Sequence, residues 1–222
     1  MTELRRPDAR LATSWARALA DFGDEHPAGS GVWLLPPALR RHLTPAGCHA
    51  WVEALTPYAD RSVALGEGPH GPLVHSTFWW IVDTAGGGEE VVGFLDLRHE
   101  LTPYLLETGG HVGYSVRPAR RREGHASRAL ALAVGEAGEL GLDRVLVTCD
   151  VDNVASARTI ERCGGVCEDV RGDKRRYWVA VPGAPGGRAP DARSDVGRRT
   201  SDVGRRTGGR VRGRVGSSAA PR

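Results

Sequence analysis

A chain of 222 residues has room for one medium-sized domain and an appendage, and 40% apolar content is enough for that domain to build a core. No apolar run approaches membrane-spanning length and no basic–apolar–small leader follows Met1, so a cytoplasmic protein that does not enter a membrane is expected. The formal charge of +3 is uneven: residues 183–222 hold ten arginines against Asp191, Asp195 and Asp202, a net of +7, which leaves the rest of the chain near −4.

In chain order, Leu11, Trp15, Ala18, Leu19 and Phe22 recur at helical spacing and form one apolar face. Gly23 and Pro27 close that helix, beside the acidic cluster Asp21, Asp24 and Glu25. Thr44 as N-cap and Pro45 at the first helical position open a second helix, with Cys48, Trp51, Val52 and Leu55 as its apolar face and Pro57 as its end. Two strands, Ser76–Val82 and Val91–Arg98, flank the Gly-rich turn at 85–88 as a hairpin. Gly93 inside the second strand signals a bulge or the close approach of another backbone.

The segment His99–Gly110 reads as a loop leading into a strand at Val112–Val116, which Pro118 stops. Ala126, Ala129, Leu130, Ala133, Val134, Ala137 and Leu140 then mark a helix with Gly141 beyond its end. Arg144–Asp150 is a strand, Asn153 opens a short helix that ends at Gly164-Gly165, and Val166–Val170 and Tyr177–Val181 form a closing hairpin. From residue 182 the chain is rich in Gly, Arg and Ser, repeats SDVGRRT in tandem and lacks aromatics. It cannot bury enough apolar surface to offset its ordering entropy, so a disordered tail is expected. The tail's charge suits nonspecific contact with nucleic acid, but a plain extension is the preferred reading.

The chemistry concentrates between His111 and Ser127. A helix starting near Gly124 offers unpaired N–H groups and the positive end of its dipole, while Gly124 and Ala126 leave backbone bare for an anion. Arg120, Arg121 and Arg122 add charged donors. No G-x-G-x-x-G follows a strand, and no G-x-x-x-x-G-K-[ST] is present, so the dinucleotide and P-loop readings fail. Cys163 and Cys167 are spaced C-x3-C with no second ligand pair nearby, so no metal site is expected.

Residues 121–126, RREGHA, fit the pattern Arg/Gln-x-x-Gly-x-Gly/Ala and stand between a strand and a helix. In that setting the stretch resembles the pyrophosphate loop of the GNAT superfamily of acetyl-coenzyme A-dependent N-acyltransferases. The resemblance implies an α/β fold (α+β by some schemes) with a mixed, largely antiparallel central sheet, a splayed strand pair and flanking helices. Residues 75–181 would form the acetyl-CoA-binding core. Residues 1–74 would supply the acceptor-side wall of the same domain, with Trp15, Trp51 and the acidic cluster on it, and residues 182–222 the tail. Val91–Arg98 and Val112–Val116 would be the splayed pair.

The resemblance also implies acetyl-CoA as co-substrate, without a metal. Backbone at Tyr114, Ser115 and Val116 would pair with pantetheine. Arg121, Arg122, Glu123, Gly124, His125, Ala126 and Ser127 would hold the pyrophosphate, with Arg117, Arg120 and Arg158 near the 3′-phosphate. Asn153 would touch the pantetheine arm, or serve only as a helix cap. An attacking amine must first lose a proton, and His111, Asp96, His99 and Glu100 are the candidate bases. His111 is favoured because its ordinary pKa lies nearest neutrality, with a structural histidine as the competing reading. Many family members carry an acidic Tyr where this chain has Ile160, so the departing thiolate would be met by Tyr114, Tyr177 or water. The expected activity is direct transfer, in a ternary complex, to a primary amine of a small molecule or peptide. The alternative is a non-catalytic acyl-CoA-binding or nucleic-acid-associated module. Monomer and homodimer both stay open.

Overall fold

In a computed structural model of the chain, residues 1–40 and 44–183 are described; the expected tail lies outside them. Seven strands make one sheet: β1 (Thr2–Arg5), β2 (Ser76–Asp83), β3 (Glu90–Arg98), β4 (Val112–Val116), β5 (Arg144–Asp150), β6 (Val166–Arg171) and β7 (Lys174–Ala180), in the order β1-β2-β3-β4-β5-β7-β6. Every neighbouring pair is antiparallel except β4–β5. That parallel pair requires a crossover, which α3 (His125–Glu139) supplies.

Alternation along the strands sorts side chains to the two faces. Leu95, Leu97, Val145, Val147 and Tyr177 share a core with Ala129, Leu130, Ala133 and Ala137 of α3 and with Ile160 of α4 (Val154–Arg162). On the other face, Phe78, Trp80, Val82 and Phe94 meet Trp15, Ala18 and Leu19 of α1 (Ala12–Asp21) and Trp51 of α2 (Cys48–Leu55). Trp15 packs edge-on against Trp51 at 5.0 Å and stacks on Trp80 at 6.3 Å. Both Trp15 and Trp51 are therefore core residues, which corrects the expectation that they line an acceptor wall.

Gly93 meets both readings made of it. Ile81 pairs with Gly93 but Val82 with Val91, so Val92 is the extra residue of a bulge. A Cβ on Gly93 would run into the Ser115 carbonyl of β4.

Three local features differ from the sequence reading. Thr2–Arg5 is an edge strand, although TELR carries no run of β-branched residues to announce it. Thr44 makes no side-chain cap; a 3-10 turn over Pro45–Gly47 leads into α2 instead. The connection after β3 contains a wide helical turn, Leu105–Gly109, in which the Gly110 N–H bonds the Leu105 carbonyl. No helix among the described residues is long and apolar enough to cross a membrane.

Candidate active site

The sheet opens between β4 and β5. Their ladder has one registered pair, Val112 with Val147, and beyond it Gly113–Val116 pair with no strand on that side, although the Val116 carbonyl accepts from Arg121. The sequence reading put the opening between β3 and β4, but those strands are paired at five positions, from Gly93–Val116 to Leu97–Val112. The open edge thus belongs to β4 and β5, and Tyr114, Ser115 and Val116 line its β4 side.

A histidine stitches the closed end of this gap. The His111 N–H donates to the Leu146 carbonyl at 2.7 Å, and the Leu146 N–H donates to His111 Nδ1 at 2.9 Å. Burial, helped by the Arg98 charge, pushes the His111 pKa down to about 4. Burial and the Arg61 charge push His99 down to about 4 as well. Both rings stay neutral in the folded state where the unfolded chain protonates them, so their stabilisation is complete above pH ~6.5 and is lost as pH falls toward 4. Urea unfolding at pH 7 and pH 5 is expected to show this loss. His111→Gln keeps an acceptor for the Leu146 N–H, so it should be less stable than wild type at pH 7 by under ~1.5 kcal/mol and lose less between the two pH values. An unchanged pH dependence would rule out His111 as a source.

At the open end, Val116 leads through Pro118–Arg120 to the start of α3. Gly124 is the N-cap with φ 82°, and Arg128 N–H to Gly124 carbonyl is the first bond of the helix. The N–H groups of His125, Ala126 and Ser127 precede it and have no acceptor within the helix. Arg122 has φ 68°, the one positive φ outside glycine among the described residues. Its side chain is exposed and makes no ion pair among them.

Arg117, Arg120 and Arg121 are engaged within the protein. Arg117 lies between Asp21 (3.2 Å) and Glu90 (3.2 Å). Arg120 meets Asp83 at 2.7 Å, Glu123 at 2.9 Å and also Glu90. Arg121 donates to the Val116 carbonyl at 3.0 Å and pairs with Glu25. So the acidic cluster after α1 meets the arginine run, and Arg117 and Arg120 are braces of the loop instead of free phosphate contacts. Arg158 remains exposed on α4.

His125 turns inward, and the exposed Glu123 reaches over to it. His125 is 3% exposed, with Nδ1 2.9 Å from the Thr2 hydroxyl and Nε2 3.3 Å from Glu123. Arg128 also donates to the Thr2 hydroxyl, at 2.7 Å. Asp83, Glu123 and His125 come together closely enough to hold a cation, but the Arg120 guanidinium already contacts all three.

The remaining candidates scatter. The Asn153 side chain caps α4 by accepting from Ser156 N–H at 3.0 Å. The Tyr114 hydroxyl shares a 2.8 Å hydrogen bond with Ser156 Oγ, and burial pushes its pKa up to about 12. Ser115 Oγ donates to the Ala28 carbonyl at 2.7 Å, fixing the segment after α1 over the other face of β4. Tyr177 sits on β7, one strand beyond the gap, and donates to Glu161 at 3.1 Å. Glu100 is exposed, two residues past the end of β3. Asp96 is 2% exposed on β3 and pairs with Arg98 at 3.0 Å, and burial raises its pKa against the opposing pull of Arg98.

A mixed sheet opened between two parallel strands, with a helix N-terminus at the rim of the opening, is the architecture of the GNAT fold. Residues 31–166 match the family model described as "Acetyltransferase (GNAT) domain", and the chain belongs to that family: it is an acetyltransferase. No curated protein matches the chain. Among solved structures, it is similar to RimJ from Mycobacterium smegmatis in complex with CoA-disulfide, at 20% identity and TM-score 0.58, covering 84% of this chain and 85% of that one. It is also similar to the ribosomal-protein-S5-alanine acetyltransferase from Vibrio fischeri, at 15% identity and TM-score 0.56, covering 82% and 94%. The microcin C7 self-immunity acetyltransferase MccE, in complex with acetyl-CoA and AMP, is similar at 14% identity and TM-score 0.52, covering 81% and 92%. At these identities the likeness is one of fold.

Proposed function

We propose that the protein transfers an acetyl group from acetyl-CoA to a primary amine, directly, within a ternary complex. The observation that carries this reading is the open β4–β5 edge with the Gly124 helix start at its rim. Backbone of Gly113–Val116 that no strand pairs on the β5 side suits the pantetheine amides, the Val116 carbonyl held by Arg121 excepted, and the N–H groups of His125, Ala126 and Ser127 suit the pyrophosphate. Arg122 is the side chain left to meet phosphate, whereas Arg121, Glu123 and His125 serve through their backbone and through the braces they make. MccE and RimJ, crystallised with acetyl-CoA and CoA-disulfide respectively, lend support to the choice of co-substrate.

Direct transfer is favoured because the thiols Cys48, Cys149 and Cys163 are not activated. Burial pushes Cys149 and Cys163 up, and Cys48 up to about 11, so none offers a thiolate at neutral pH. The departing CoA thiolate takes a proton best from Tyr114, which lies on the gap and stays protonated. Ser156 orients its hydroxyl. Tyr114→Phe is expected to lower kcat about 10- to 100-fold with little change in acetyl-CoA affinity. A mutant with wild-type kcat would move the acid to water.

His111 can accept the amine's proton only through Nε2, because Nδ1 is taken. With its pKa near 4, it is uncharged across the neutral range but a weak base, which counts against it as the proton acceptor, and it gives no inflection between pH 6 and 7.5. Acetyl-CoA-dependent release of free thiol, assayed over a panel of amines, tests the whole reading. Acetyl-CoA binding with no thiol release over the panel would favour a non-catalytic acyl-CoA-binding module.

A further inference from the structure

Beside the closed end of the gap lies a cavity of about 320 Å³, within the size range of small-molecule sites. It lies on the α1/α2 side of the sheet, where Ser76 of β2 and Arg98 of β3 contribute to its lining. Its walls come from three connections: Trp33 after α1, Tyr58 after α2, and Tyr104 and Leu105 between β3 and β4. A two-residue hairpin, Glu67–Gly68 with Gly71–Pro72, brings His70 onto the Tyr104 ring, stacked at 4.1 Å and 9°. Trp33 and Tyr104 are each 40% exposed, although both are large and aromatic.

Two facts connect this cavity to the chemistry. Arg98 donates to the carbonyls of Gly109 and Gly110 at 3.1 Å each, so the cavity floor is bound to the two residues that precede His111. Gly109 lines the cavity, and Val112, three residues on, is the β4 residue registered with β5. Three Cα steps put the closed end of the gap within ~11 Å of that floor. The far side of the same connection is anchored separately: Arg176, 1% exposed, donates to the Leu106 carbonyl at 2.9 Å. The wall between cavity and gap is therefore fixed on both sides.

The lining chemistry selects the occupant. No carboxylate is among the described residues of the lining; its charged member is Arg98, already paired with Asp96. A second ammonium on an acceptor would have no partner there, while an uncharged ring would meet Trp33, Tyr58 and Tyr104. We infer that the cavity is the acceptor subsite and that the acceptor is a primary amine borne on an uncharged aromatic body. This rests on the acetyl-CoA reading above.

The test compares phenethylamine with cadaverine, amines of similar basicity, by acetyl-CoA-dependent thiol release. Calorimetry measures acetyl-CoA binding in parallel. Phenethylamine is expected to show a kcat/KM at least ~30-fold above cadaverine. Leu105→Trp, which fills the cavity, should raise the phenethylamine KM about 10-fold and leave acetyl-CoA affinity unchanged. Tyr104→Ala, an exposed and readily tolerated change, should raise that KM with kcat preserved. If acetyl-CoA binds but cadaverine is used as well, or neither amine is used, or both variants keep the wild-type KM, this inference falls alone. If acetyl-CoA does not bind the wild type, the cofactor reading falls and takes the inference with it.

Discussion

Replacing Gly124 by valine is expected to weaken acetyl-CoA binding by ~30-fold or more, about 2 kcal/mol. Two effects add. At φ 82° a β-branched residue is strained, so the N-cap of α3 would shift toward negative φ and turn its N–H groups away from the rim. The new side chain would also cover the bare backbone that an anion must approach. Its Cβ would come 2.8 Å from Arg128 Nη1, but that is the end of a flexible side chain and can give way. Calorimetric titration checks the prediction. Arg122→Ala is the companion measurement: it should weaken acetyl-CoA and leave a phosphate-free pantetheine analogue unaffected. Equal losses for both ligands would place the phosphates elsewhere.

Gly93→Ala should cost the domain about 3 kcal/mol, the upper end of the usual overpacking range. The added methyl would collide with the Ser115 carbonyl and lie 3.1 Å from Val116 Cα, both backbone of the neighbouring strand. Backbone cannot swing aside as a side chain does, so β3 and β4 must separate where β4 borders the gap. Denaturant midpoints would show the loss. Gly135→Ala is the matched control: nothing lies within 4 Å of its would-be Cβ, and it is exposed within α3. It should stabilise by ~0.5–1 kcal/mol through helix propensity. Similar costs at the two sites would discredit the contact argument.

The contrast between those glycines shows where sequence is informative. The helices were legible because Trp15, Leu19 and Phe22, or Ala129, Ala133 and Ala137, keep a helical period that burial then enforces. Gly124 was legible because an anion site at a helix start asks for bare backbone, which glycine supplies. Strand adjacency left no such trace. Val112–Val116 pairs with β3 along its length on one side and with β5 only at Val112 on the other, and nothing in VGYSV says which. Hence the opening was placed one strand too early. The partners of charged side chains were equally silent, since Arg120 reaches Asp83 and Glu90 across 37 and 30 residues. The cavity was missed for a related reason: Trp33, Tyr58 and Tyr104 belong to three separate connections and share no periodicity.

The short edge strand β1 carries a consequence for the order of folding. Thr2 pairs with Asp83, and its hydroxyl meets His125 and Arg128 across 123 and 126 residues of chain. Local elements such as the β2–β3 and β6–β7 hairpins close short loops and form early. Among the hydrogen bonds of the described residues, those from Thr2 to His125 and Arg128 close the longest loops, so they are made late. The loop that opens α3 therefore acquires its final brace only after α3 has docked. Until then, a bound nucleotide has the most to contribute to holding the loop in place. Acetyl-CoA present during refolding should accordingly raise the yield of active protein more than the same amount added afterward.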